Sequence, residues 1–160
     1  MKHTLYITKV SDEKRVVYAY LVTNYQGIKT SGLFVTAGKH KYDGSRTDHI
    51  ALQRSLRAAS ELAGVVDLKI VFDQPLIDLA FEMVEVAVPK YPSLYQTSAR
   101  LMGRFQSHEF ASTVFTDMEA CPEEVSAIDE AMEMLDGCRS LKGRILLLKN
   151  YLIHAKNIIS

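Results

Sequence analysis

The sequence predicts one α/β domain on a five-stranded mixed sheet, three antiparallel strands and then parallel ones, with flanking helices and a C-terminal helix. Three observations carry this. Valine- and tyrosine-rich runs separated by short polar turns fill the first third of the chain. Apolar residues then recur at helical spacing from Leu52 to Ala63. A short, nearly continuous apolar run, Val65–Phe72, follows that helix and precedes a proline, as expected of a buried parallel strand.

The elements follow in order. Leu5 and Ile7 alternate with Tyr6 and Thr8 in a first strand, and Ser11–Lys14 makes a polar turn. Val16–Thr23 has the β-branched and aromatic composition that strands favour. Asn24-Tyr25-Gln26-Gly27 supplies the next turn, and Lys29–Thr36 returns as a third strand, giving an antiparallel meander. Gly38–Arg46 is a charged loop, and Thr47 or Asp48 caps the helix that follows. Leu52, Leu56, Ala59 and Ala63 form its inner stripe, Arg54, Arg57 and Glu61 its solvated side, and Gly64 its stop. Asp73 ends the fourth strand, and Pro75 opens a helix with Leu76, Leu79 and Ala80 on its inner face. Two segments compete for the fifth strand, Val84–Val88 and Phe110–Thr116. Ser93 caps a helix over Leu94–Phe105, and Pro122 and Gly137 bracket another. Leu141–Ile159 repeats apolar residues on one helical face. This divides the chain into a domain over residues 1–138 and an amphipathic helix over 139–160, packed on the domain or used for docking.

Composition narrows the function classes. An apolar fraction of 48% and a charged fraction of 24% are those of an ordinary globular protein. The longest apolar runs are too short to span a bilayer, and Met1–Val10 alternates where a signal peptide would be continuously apolar. The expectation is a cytoplasmic, intracellular protein without membrane contact. Lys+Arg and Asp+Glu count 19 each, which argues against binding nucleic acid through the overall field but leaves room for a local basic patch. Cys121 and Cys138 lack the spacing of a disulfide framework or zinc site, and His40, His49, His108 and His154 form no ligand pair. Nothing resembles a nucleophile elbow or a glycine-rich phosphate loop.

Several stretches, taken in order, resemble the ribonuclease H superfamily, type I in particular. Leu5–Ser11 is similar to its first strand, and Lys69–Gln74 to its fourth strand, which ends in an aspartate. Leu94-Tyr95-Gln96 with Leu101-Met102-Gly103 resembles a later helix, and Pro122-Glu123-Glu124 with Asp129-Glu130-Ala131 the last one. The resemblance covers most of residues 4–137. It implies two magnesium ions held by carboxylates from the first strand, the first helix, the end of the fourth strand and the last helix. Two close dications need several such oxygen ligands.

On that pattern the first-strand position falls on Lys9 and the first-helix position on Ala51 or Leu52, while Asp73 and, near the last position, Asp129 remain. The expected site is therefore vestigial, with no catalytic residue assigned and no bound metal. The resemblance further implies that Lys9 lies beside Asp73, its ammonium standing where a metal would. The handles for a hybrid duplex are also missing, since the chain has no tryptophan and carries Pro89–Pro92 in place of the basic protrusion. Lys39, Lys41 and Arg46, with His40 and Tyr42, form a basic, aromatic-bearing loop able to meet a phosphate backbone.

The function expected is that of a catalytically inactive ribonuclease H-like binding module. The apolar C-terminal helix and neutral charge favour a protein partner or self-association, with nucleic acid the second candidate. The rival is a magnesium- or manganese-dependent nuclease centred on Asp73 with partners such as Asp48, Asp78 or Asp129.

Overall fold

The computed structural model describes residues 2–11, 15–62, 64, 67–72, 74–85, 89–112, 133 and 158–159. The strands are β1 (Lys2–Ser11), β2 (Val16–Asn24), β3 (Gly27–Thr36), β4 (Asp67–Phe72), β5 (Ser107–Ser112) and β6 (Ile158–Ile159). The helices are α1 (Gly44–Ser60), α2 (Ile77–Glu85) and α3 (Pro92–Met102), with a 3₁₀ turn at Gln74–Leu76. One sheet runs in the order β5-β4-β1-β2-β3-β6. β1, β2 and β3 form the expected antiparallel meander, and β4 and β5 add in parallel beside β1.

The alternation of each strand becomes two packed faces. On one, Leu5, Ile7, Tyr18, Val22 and Phe34 join Leu52 and Leu56 of α1, Ile70 and Phe72 of β4, and Leu79 of α2 in the main core. On the other, Val17, Ala19, Leu21 and Val35 make a smaller cluster. β2 is thus buried on both faces, with Asn24 alone half-exposed at its end. The turn into β3 works through Asn24, whose Oδ1 accepts the Gln26 N–H at 2.8 Å, and through Gly27 at φ +111°.

Four local expectations are corrected. Helix α1 starts at Gly44, a turn before Thr47 and Asp48, with Asp43 at the N-cap and no side-chain cap bond. Thr47 Oγ1 instead donates back to the Asp43 carbonyl at 3.1 Å, a bond available only inside the helix. Val84 and Glu85 end α2, so the Val84–Val88 alternation is not the fifth strand. That strand is β5, which overlaps the other candidate at 110–112 and pairs with the whole of β4.

Helix α3 begins at Pro92, with Tyr91 at its N-cap in place of Ser93. The sheet also gains a sixth strand, because Ile158 and Ile159 pair in parallel with Val35 and Thr36 where a helical face was expected. Their β-branched side chains are buried against the sheet edge, and Ile159 O accepts the Ala37 N–H at 2.8 Å. Residues 139–157, assigned to that helix, lie outside the described residues.

Candidate functional site

The parallel strands β1 and β4 run side by side, Ile7 opposite Phe72, so their C-terminal ends open at the same edge of the sheet. The N-terminal turn of α1 and the start of α2 meet β1 there, around a cavity of roughly 230 Å³ lined by Lys9, Gly44, Ser45, Asp48, Pro75, Asp78, Leu79 and Glu82. Lys9, two residues beyond Ile7 on β1, sends its ammonium into this space, where Nζ donates to Asp48 Oδ1 at 3.0 Å. Both side chains are largely buried. Gly44 leaves the room, since a Cβ there would lie 3.3 Å from Lys9 Nζ.

Asp48 is held from below as well. The Tyr18 hydroxyl, buried on β2 opposite Lys9, donates to Oδ1 in a short bond and also lies 2.7 Å from Thr47 Oγ1. Burial pushes the Asp48 carboxyl above its ordinary pKa, against the lowering pull of Lys9 and Tyr18. Burial likewise pushes the Tyr18 phenol upward, and the neighbouring carboxylate adds to the effect. Tyr18 therefore serves as a donor that stays protonated.

Behind the cavity lies a second polar chain. His49, fully buried on α1, places Nε2 2.8 Å from Glu82 of α2 and Nδ1 2.9 Å from Ser98 Oγ of α3. Gln53 Nε2 donates to the same Ser98 hydroxyl at 3.2 Å and to the Leu94 carbonyl at 3.0 Å. Ser98 is completely buried, so this serine–histidine–glutamate row pins three helices together and presents no nucleophile to a substrate. In the sequence His49 stands among several scattered histidines with no ligand spacing. Its signal was its spacing: it extends the stripe of Leu52, Leu56 and Ala59 by one turn, a core position.

No family model and no curated protein matches the chain. Solved structures do. RNase H1 from the halophilic archaeon Halobacterium salinarum NRC-1 is 17% identical, with a TM-score of 0.56 over 82% of this chain and 100% of that one. LC11-RNase H1, isolated from compost by a metagenomic approach, is 17% identical, with a TM-score of 0.61 over 87% and 99%. The same LC11 protein in complex with an RNA/DNA hybrid gives 0.53 at 15% identity, over 81% and 99%. The chain has a ribonuclease H-like fold.

The resemblance implies two divalent ions at this edge, and of the described side chains there Lys9 does not fit them. The ammonium of Lys9 has no lone pair to give a metal, and it already pairs with Asp48, where it would repel a dication. Among the described residues, no three His, Cys, Asp or Glu side chains gather closely enough to hold an ion.

The candidates taken from the sequence are redistributed. Ala51 and Leu52 are buried in the main core, so the position on α1 that meets Lys9 is Asp48, three residues earlier. The ammonium expected beside Asp73 pairs with Asp48; Asp73 and Asp129 lie outside the described residues. Asp78 lines the cavity from α2, exposed. Lys39 is exposed and Lys41 half-buried on the loop leading into α1, and Arg46, expected on that loop, is half-buried in the first turn of the helix. No helix among the described residues is long and apolar enough to cross a membrane.

Proposed function

We propose that this chain is a ribonuclease H-like module that binds nucleic acid without hydrolysing it. The observation that carries the reading is the Lys9–Asp48 pair: a protein cation occupies the carboxylate that ribonuclease H chemistry would give to a metal. An internal ammonium offsets the charge of the buried acid, whereas a metal would also activate water. The nearby basic loop, which leads directly into this edge, supports nucleic acid as the partner. So does the hybrid-bound LC11 structure, a protein of the same fold. The C-terminal apolar face and the neutral charge favour a protein partner, but of that face Ile159 is buried in the sheet and the other residues lie outside the described ones.

The test is a cleavage and binding assay on RNA/DNA hybrid, single strands and duplexes, with magnesium and with manganese. The expected result is salt-sensitive binding with no metal-dependent cutting. Metal-dependent cutting would replace this reading with an atypical nuclease centred on Asp73, with partners such as Asp48, Asp78 or Asp129, and Asp73→Asn should then abolish it.

A further inference from the structure

The loop between β3 and α1 has features that neither the closed site nor the core explains. Tyr42 is 55% exposed, and the Lys41 ammonium lies 5.0 Å from its ring centroid, over one face. Lys39 and His40 beside it are exposed. The single acid of the segment, Asp43, is engaged elsewhere: Tyr91 Oη donates to its Oδ2 in a short bond, and Lys90 Nζ lies 3.4 Å from its Oδ1. The hydrogen bond from Tyr91 and the charge of Lys90 hold this carboxyl below its ordinary pKa. It stays ionised, and its charge is matched by Lys90.

Two consequences follow. The charges of Lys39 and Lys41 are left in excess at the loop, although the whole chain is neutral. The loop is also tied at Asp43 to the start of α3, so Tyr42 is offered from a braced segment, which lowers the ordering cost of binding. An exposed aromatic ring next to cations is the arrangement that receives unpaired nucleobases, because every base has a π-face and the cations meet the neighbouring phosphates. Duplex bases, stacked on one another, leave no face for such a ring except at an end.

We infer that the Lys39–Tyr42 loop binds single-stranded nucleic acid, with a base stacked on Tyr42 and the backbone held by Lys39 and Lys41. This rests on the reading of the chain as a nucleic-acid-binding module and names the form of nucleic acid that it takes. The two remain separable by experiment.

The test is fluorescence anisotropy of the full chain with labelled single-stranded DNA and RNA oligonucleotides, and with hybrid and DNA duplexes of the same sequence. Single strands should bind more tightly than duplexes. Tyr42→Ala should weaken single-strand binding about tenfold to a hundredfold, and Tyr42→Trp should preserve it. Lys39→Gln with Lys41→Gln should lower the slope of log affinity against log salt by about 1.4, the value for two phosphates on a single strand. Tyr42 is exposed, so its replacement leaves the core intact, and circular dichroism of each variant checks this. Unchanged affinity in Tyr42→Ala, or tighter binding of duplexes, would overturn this inference while leaving the module's nucleic-acid reading in place. Absence of binding to every oligonucleotide would overturn both.

Discussion

At the scale of single residues, the site turns on one substitution of sign. A carboxylate at position 9 would face Asp48 as a like charge and would need a metal between them; a lysine there completes an ion pair with no metal. Removing one member of a largely buried pair leaves the other charge without its partner. Lys9→Met should therefore destabilise the fold by about 3 kcal/mol, read as a lower urea midpoint, and adding Asp48→Asn to it should recover most of the loss. An unchanged midpoint in Lys9→Met would mean that the pair contributes nothing. The raised pKa of Asp48 has a sign that can be checked. The folded protein keeps this proton to higher pH than the unfolded chain does, so the group's contribution to stability falls as pH rises from about 4, the unfolded aspartate value, through its folded pKa. Asp48→Asn should flatten that part of the stability profile, measured by urea unfolding across the acidic range.

At the scale of elements, helix α1 is the organiser. It supplies Asp48 to β1, His49 and Gln53 to α2 and α3, and Arg54 to the tail. Arg54 Nη1 donates to the Ile158 carbonyl at 2.7 Å while its guanidinium lies over Phe34. The arginine expected on the solvated side of the helix is half-buried for this reason. Arg54→Met keeps the apolar stem but loses a charge-assisted bond, at an expected cost of about 1.5–3 kcal/mol. Amide exchange at Ala37, whose N–H is held by Ile159, should then rise along with the loss of stability; an Ala37 amide as protected as in the parent would show that β6 does not depend on Arg54.

The same scale shows why parts of the sequence were legible and others were not. The meander was readable because alternation and the Asn24–Gly27 turn are local signals, settled by backbone sterics over a few residues. The start of α1 was not, since Asp43 caps it without a side-chain bond and Thr47 and Asp48, good caps by type, are drawn inside the helix. The pairing of Asp48 with Lys9 across 39 residues has no local signal either.

At the scale of the whole molecule, a site closed by its own ammonium makes stability independent of divalent metal. Millimolar magnesium or manganese should leave Tm where it is in EDTA. A resident site at a hundred times its Kd would instead add about 2.7 kcal/mol, an upward shift that would sink the closed-site reading.

The sequence by itself determined the α/β class, the order of the first strands and helix, the apolar stripe of α1 and the presence of a lysine where an acid was expected. Each is a property of neighbouring residues, set by periodicity, turn chemistry and residue type. Only the tertiary structure decided that Lys9 meets Asp48, that His49 joins three helices, and that Ile158 and Ile159 finish the sheet. Those pairings span 39, 33 and 49, and 104 residues for the Lys9–Asp48, His49–Glu82 and His49–Ser98, and Arg54–Ile158 bonds. Contacts so distant along the chain depend on how the elements pack, and no local pattern encodes which partner a buried charge will find.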